Sequence, residues 1–363
     1  MPDTPDFHTI HEIIKAARLR LNQAHWDYLV GGTETETTLK RNRVAIDSRA
    51  LCPRVLNDVS DVDTSGFILG QQLKMPVLLA PIGSLQIFEQ GGGATAAKVA
   101  AEAGVMSIAS SVCEPSLEEI AAASDAPKIY QLYVRGDDSW VDNIIQRAID
   151  SGYTAFCLTV DSAVVSRRER DIAKRVRVTT GTRIDPGDYA YQARLNWADV
   201  QRIKEKFDIP LLIKGIHRAD DAVRAVECGV DVVYVSNHGG RQLDQAPGTL
   251  DLLPDIVREI KGKAEIAIDG GFYRGTDIVK AMAMGADAVG IGRLEAWSLA
   301  AGGAPALLRC LHILHAEIRE ALVLCGVTSF AELDDSFVSP AQPVVEPHVL
   351  SAFPLVDITD PGY

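Results

Sequence analysis

The chain has 363 residues, enough for about two domains or for one α/β barrel with extensions. A hydrophobic content of 47% with few aromatics fits a compact core and excludes a disordered chain. The formal net charge of −13 excludes a general nucleic-acid binder, whose electrostatic footprint is basic.

The N-terminus MPDTPDFHTI lacks the basic region and apolar core of a secretory signal. No uninterrupted apolar run approaches the ~18 residues of a membrane helix, so no membrane partner is expected. Cys52, Cys113, Cys157, Cys228, Cys310 and Cys325 form no CxxC pair, and several sit inside apolar runs. That usage predicts reduced, buried thiols and a cytoplasmic location. No metal site is expected, because His11-Glu12 lacks the second His of a helical zinc site and His312 with His315 lack a third ligand.

In chain order, Ile10, Ile13, Ile14, Ala17 and Leu21 predict a helix over residues 9–30, stopped by Gly31-Gly32. Near its end, Tyr28 reads as a core aromatic, the commoner fate, or as a hydroxyl reaching a site. Residues 33–70 are mixed and polar and predict an irregular arm. Eight short apolar runs follow: Pro76–Ala80, Val105–Ala109, Ile129–Val134, Ala155–Val160, Leu211–Ile213, Val232–Val235, Ile266–Ile268 and Ala288–Ile291. Helical segments such as Ala94–Ala103, Val141–Ser151, Asp220–Cys228 and Thr276–Met284 lie between them, most closing on Gly. Alternation of this kind predicts a (β/α)8 TIM barrel with an N-terminal helical extension and an extended C-terminal tail. The arm is expected over 1–70, the barrel over 71–335 and the proline-rich tail over 336–363. The longest gap, between the fourth and fifth runs, predicts a lid-like insertion at about 167–198 with turns around Gly181, Pro186 and Gly187. Pro305–Leu324 resembles a final helix.

Barrel enzymes keep their chemistry at the carboxyl ends of the strands. There the chain places Pro81-Ile82-Gly83, Ser110-Ser111, Gln131 with Tyr133, Thr159 with Asp161, Lys214, Ser236-Asn237-His238 with Arg241, Asp269-Gly270-Gly271 and Gly292-Arg293. His238 is a candidate base, Arg241 a candidate anion clamp, and Asp161 a candidate to orient His238. Lys214 ends an apolar run, and a buried ammonium requires a negative partner. The glycines after the seventh run and Gly292-Arg293 after the eighth occupy the usual phosphate corner, which suggests a phosphorylated cofactor. Arg168, in RRERDIAKR, reads from the residues alone as one of a solvated run.

SNHGGRQLD, with DGGFYRGTD and IGR downstream and QLY and LTVD upstream, resembles the FMN-dependent 2-hydroxy acid oxidase and dehydrogenase family over roughly Thr9–Leu333. The resemblance implies FMN at the carboxyl end of a barrel and oxidation of a small-molecule L-2-hydroxy acid to the 2-oxo acid, with oxygen as the expected electron acceptor. It implies that His238 is the base oriented by Asp161, and that Arg168 and Arg241 hold the substrate carboxylate with Tyr28 and Tyr133, the latter also catalytic. Lys214 would lie near the flavin N1 and C2 carbonyl and stabilise the anionic reduced flavin. Ser110, Gln131, Thr159, Ser236 and the Pro81, Ile82, Gly83 backbone would contact the cofactor. Asp269 would meet its ribityl chain, and Gly270, Gly271, Gly292 and Arg293 its phosphate end. Homo-oligomers, often tetramers, are common in the family.

Three departures stand out. Tyr273-Arg274 replaces a paired Arg, so one phosphate-side cation is lost. Val112 replaces a large aromatic, which implies room for a bulky substrate side chain. Gly83 stands where many simple oxidases have Ala, as in related monooxygenases and dehydrogenases, so a soluble enzyme of either kind acting on a bulky hydroxy acid is the main alternative. A non-catalytic FMN-binding barrel is the lesser one.

Overall fold

The computed structural model describes residues 6–175 and 189–356. The first helical pattern divides into α1 (Ile10–Arg20) and α2 (Gln23–Val30), because Asn22 caps the second helix by accepting from the His25 N–H. Thr9 and Glu12 form a reciprocal capping box at the start of α1. The arm is more ordered than its polar composition predicts. It contains α3 (Thr37–Asp47), the short strand β1 (Arg49–Leu51) and a hairpin of β2 (Gly66–Ile68) with β3 (Gln71–Leu73).

The eight apolar runs form β4 (Val77–Leu79), β5 (Met106–Ser110), β6 (Lys128–Leu132), β7 (Ala155–Thr159), β8 (Leu211–Ile216), β9 (Val232–Val235), β10 (Glu265–Ile268) and β11 (Ala288–Ile291). They close into a parallel barrel in the order β10-β11-β4-β5-β6-β7-β8-β9. The helices between them include α4 (Gly92–Ala103), α5 (Leu117–Ala122), α6 (Asp138–Asp150), α7 (Glu169–Ala173), α8 (Tyr189–Arg194), α9 (Trp197–Lys206), α10 (Ala219–Glu227), α11 (Thr249–Ile260) and α12 (Gly275–Ala283). The turns expected around Gly181, Pro186 and Gly187 lie outside the described residues.

Strand alternation sorts the apolar side chains into two cores. Leu78, Met106, Ile108, Ile129, Cys157, Leu212, Val232 and Tyr234 fill the barrel, while neighbours such as Leu79, Phe156, Ile213 and Val233 face the helices. Ile68 and Leu73 of the hairpin join the inner core, and the Leu69 N–H donates to Glu265 at the start of β10. The hairpin therefore stoppers the amino end of the barrel. Only the carboxyl end is left for a site.

The last helix, α13 (Arg293–Cys325), begins directly after β11, earlier than the Pro305 start read from the sequence, and breaks internally at Gly302 and Gly303. Its length and hydropathy suffice by composition to cross a membrane, yet Leu294, Trp297, Leu311 and Ile318 are buried, and it packs against α1, α4 and α12. The tail is anchored at its start: β12 (Val338–Pro340) pairs antiparallel with β1, and Phe337 and Phe353 are buried.

Candidate active site

β9 is wholly buried and runs into a 3-10 turn at His238–Gly240. Gly239 and Gly240 adopt φ of 63° and 75°. A Cβ on Gly240 would come within 2.5 Å of the Leu39 backbone, so glycine is required both by conformation and by the approach of α3. Asn237 and Asn42 exchange amide hydrogen bonds at 2.9 and 2.7 Å. Asp244, the last residue of the motif, accepts from the N–H groups of Thr35 and Thr38, both at 2.9 Å. The arm thus braces the loop. His238 itself is left-handed, with φ 57°, a conformation of the kind found where a backbone is held for function.

His238 Nδ1 lies 3.0 Å from Asp161 Oδ1, and Nε2 lies 3.1 Å from the Tyr133 hydroxyl. The carboxylate selects the tautomer with the proton on Nδ1, which leaves the Nε2 lone pair on the cavity side. Burial lowers the imidazole below its ordinary value, helped by Lys214 and Arg168, while Asp161 opposes the shift. The ring is therefore neutral and basic near pH 7. Burial and Asp161 together push the Tyr133 hydroxyl up, so it remains a proton donor.

Two guanidinium groups flank the Tyr28 ring, Arg241 at 4.8 Å and Arg168 at 5.8 Å. Arg241 donates to the carbonyls of Tyr28 at 2.6 Å and Gly31 at 3.0 Å. Burial and the neighbouring Arg168 push the Arg241 guanidinium down. Burial would raise the Tyr28 hydroxyl, but the two guanidiniums outweigh it and lower it. Asp171 of α7, unremarked in the sequence, is an acid that faces this pair, and burial raises its carboxyl. Two half-buried guanidiniums held this close are chemically completed by an incoming carboxylate.

A cavity of about 810 Å³ joins these groups to the glycine corner. Tyr28, Pro81, Ile82, Gly83, Tyr133, Arg168, Lys214, His238, Arg241, Asp269, Gly270, Gly271, Gly292 and Arg293 all line it. Five expected residues stand behind that wall. Asp161 backs His238, Gln131 donates to the Thr159 hydroxyl at 2.9 Å, and Ser236 bridges Lys214 at 2.8 Å and Asp269 at 2.6 Å. Ser110 borders a separate small cavity. Gln192 of α8, also missed, ties the strand ends together by accepting from the Val134 N–H and donating to the Thr159 carbonyl. No sequence signal marks it, since it reaches back across 33 residues.

The negative partner required by Lys214 is Asp269, at 3.1 Å. Burial opposes the charge on Lys214, but Asp269 and Asp161 outweigh it, so the ammonium persists. Gln131 Oε1 is buried and has no partner among the described residues. At the glycine corner Gly270 and Gly271 take φ of 112° and 92°. Arg293 lines that corner, but its guanidinium is committed to the carbonyls of Leu29, Gly31 and Gly239 at 2.9–3.0 Å. The cavity, the buried ammonium, the unpaired amide oxygen and the glycine corner fit a flavin mononucleotide, whose phosphate end suits the glycines.

A barrel with this cavity, a His–Asp pair and two neighbouring guanidiniums has the architecture of a flavin-dependent oxidoreductase. Residues 17–340 match the family model for the FMN-dependent dehydrogenases. An L-lactate oxidase from Nostoc sp. is 37% identical over 354 residues, covering 91% of this chain and 97% of that protein. A peroxisomal (S)-2-hydroxy-acid oxidase from Oryza sativa subsp. japonica is 35% identical over 347 residues, covering 91% and 95%. A solved structure of mandelate oxidase with benzoyl-formic acid is 34% identical, with a TM-score of 0.86 over 93% of this chain and 100% of that one. The chain belongs to the FMN-dependent dehydrogenase family, and FMN is its cofactor.

Proposed function

We propose that this FMN-dependent oxidoreductase converts an L-2-hydroxy acid with a bulky side chain to the 2-oxo acid and passes the electrons to O2. The reading is carried by one observation: the Nε2 face of His238 and the cation pair Arg168 and Arg241 open into the same cavity. In it, Arg168 and Arg241 clamp the substrate carboxylate, with Tyr28 and Tyr133 at its oxygens. His238 Nε2 takes the substrate proton, and Asp161 holds the resulting imidazolium. Bound FMN supplies the two-electron acceptor. Lys214 provides fixed positive charge, and Pro81, Ile82, Gly83, Ser110, Gln131, Thr159, Ser236, Asp269, Gly270, Gly271, Gly292 and Arg293 form or back the cofactor's walls.

A bulky substrate is supported by Val112, Gly83 and Phe88 in the cavity lining, and by the similarity to mandelate oxidase. Oxygen as acceptor is supported by the lactate oxidase relative. A cytoplasmic homo-oligomer completes the proposal. Gly83 favours a second reading, in which the reductive chemistry is the same but a monooxygenase or dehydrogenase disposes of the electrons.

The test is anaerobic mixing of the yellow holoenzyme with L-2-hydroxy acids from lactate to mandelate. Rapid bleaching of visible absorbance by the larger members is expected. No bleaching by any of them overturns the reading. Peroxide formed in equal amount to 2-oxo acid on admitting air supports the oxidase form, and its absence supports the second reading.

A further inference from the structure

The two guanidiniums that flank Tyr28 come from segments far apart in the chain, and residues 31–36, between α2 and α3, are bonded to both. On one side, the Gly31 carbonyl accepts from Arg241 and the Thr33 N–H donates to the Gly240 carbonyl, both at 3.0 Å. On the other, the Glu34 N–H and the Thr33 hydroxyl donate to the Arg167 carbonyl at 2.8 and 3.3 Å. Two residues beyond Arg168, Arg170 forks onto Glu36, Nε to Oε1 at 2.6 Å and Nη2 to Oε2 at 2.7 Å, and reaches Asp27 of α2 at 3.5 Å. Lys174 ion-pairs with the same buried Asp27. Glu36 holds a left-handed backbone, φ 60°, and its Oε1 also accepts from the Gly32 N–H at 3.1 Å. Burial would raise its carboxyl, but Arg170 and the Gly32 N–H outweigh it and keep it ionised. The Arg168 side chain has weaker ties of its own, to Ser166 Oγ at 3.4 Å and over the Tyr28 ring at 5.8 Å.

We infer that Glu36 and Arg170 are positioning residues that hold Arg168 opposite Arg241, so that the N-terminal arm sets the separation of the two guanidiniums. The inference rests on the reading of that pair as the clamp for the substrate carboxylate. Arg168 caps α7, a helix of five residues with none buried, so no apolar face seats it. Its place is set by whatever ties α7 down. A guanidinium forked onto a carboxylate by two parallel bonds fixes direction as well as distance. The Arg170 side chain is 40% exposed, so the pair adds little to global stability. Its effect falls on where α7 sits and, through α7, on Arg168.

Arg170→Ala leaves Asp27 its other partners, Lys174 and Gln23, so the variant should fold and retain FMN. Anaerobic flavin reduction by L-mandelate should then need roughly 10-fold more substrate for half-saturation, with the limiting rate within about 2-fold of wild type. Arg170→Lys keeps the ion pair and should recover most of the loss. An Arg170→Ala enzyme whose limiting rate falls while half-saturation is unmoved overturns the inference, as does one unchanged in both. Hydrogen exchange of the resting holoenzyme, read by mass spectrometry over residues 166–175, needs no turnover. Faster exchange there in Arg170→Ala, with the barrel strands unchanged, supports the assignment, and equal exchange overturns it. This readout stands even if no hydroxy acid reduces the flavin, so failure of the proposed activity and failure of this inference are distinguishable.

Discussion

Lys214 Nζ and Asp269 Oδ2 meet at 3.1 Å above the barrel core, with side-chain exposures of only 5% and 10%. Ser236 stands between them, accepting from the lysine and donating to the carboxylate. Lys214→Met leaves the Asp269 carboxylate buried without its counter-charge, an expected loss of about 3–5 kcal/mol in folding stability. Urea unfolding of the variant and wild type reads that loss. A variant of unchanged stability would show that Asp269 does not depend on the ammonium.

His238 occupies a left-handed backbone position, which Asn tolerates better than other side chains lacking a base. His238→Asn is therefore expected to fold normally, retain FMN and lose about 10²–10⁴-fold in flavin reduction rate. In the wild type, burial holds the imidazole below its ordinary 6.5. The active form is the neutral ring, so kcat/KM should be flat above that pH and fall only below it. A fall beginning on the alkaline side of neutrality would contradict the assignment of His238 as a desolvated base.

Arg168→Lys keeps a positive charge at the clamp but removes the planar fork that meets a carboxylate with two bonds. Loss of one charge-assisted hydrogen bond, about 1.5–3 kcal/mol, corresponds to roughly 10–150-fold in kcat/KM. Steady-state kinetics with L-mandelate check it, and thermal unfolding should be little changed because Arg168 is only partly buried.

Glu295 in the first turn of α13 is fully buried, and its Oε2 has no partner among the described residues. Burial holds its carboxyl well above the ordinary 4.5. The unfolded chain releases this proton above that value while the folded protein keeps it. Stability therefore falls as pH rises from 4.5 toward the folded-state titration. Glu295→Met should remove that slope and add about 1–3 kcal/mol at neutral pH, as read by urea unfolding at acid and neutral pH. An unchanged slope would point to another group.

The barrel was legible because each strand buries both faces, so its eight runs are continuous rather than alternating. The arm was not. α3 reads TTLKRNRVAID, and Asn42 and Arg43 are buried in service of the Asn237 loop and of Asp277 rather than of an apolar core. Hydrophobic periodicity registers poorly a helix whose inner face mixes Leu39, Ala45 and Ile46 with Thr38, Asn42 and Arg43. His238, Arg241 and Lys214 stood out because each ends or directly follows an apolar run. Gln192 and Asp171 did not, since their significance comes only from residues distant in sequence. Arg293 follows a strand end directly and lines the cavity, but its carbonyl partners on Leu29 and Gly31 come from the other end of the chain.

The pairing of β1 with β12, with Arg49 opposite Pro340 and Leu51 opposite Val338, gives the molecule an order of completion in time. A ribosome extrudes all eight barrel strands before it reaches residue 338, yet β1 then still lacks its mate. α3 leads directly into β1, and its Leu39 backbone supports the Gly240 turn beside the base. Ser351 further along the tail also donates to Asp47 at the end of α3, and Phe353 closes over Tyr273. The nascent barrel is thus walled before β1 gains its partner strand. Residues 338–353 thus act as a late clasp over the arm whose α3 braces the Gly240 turn.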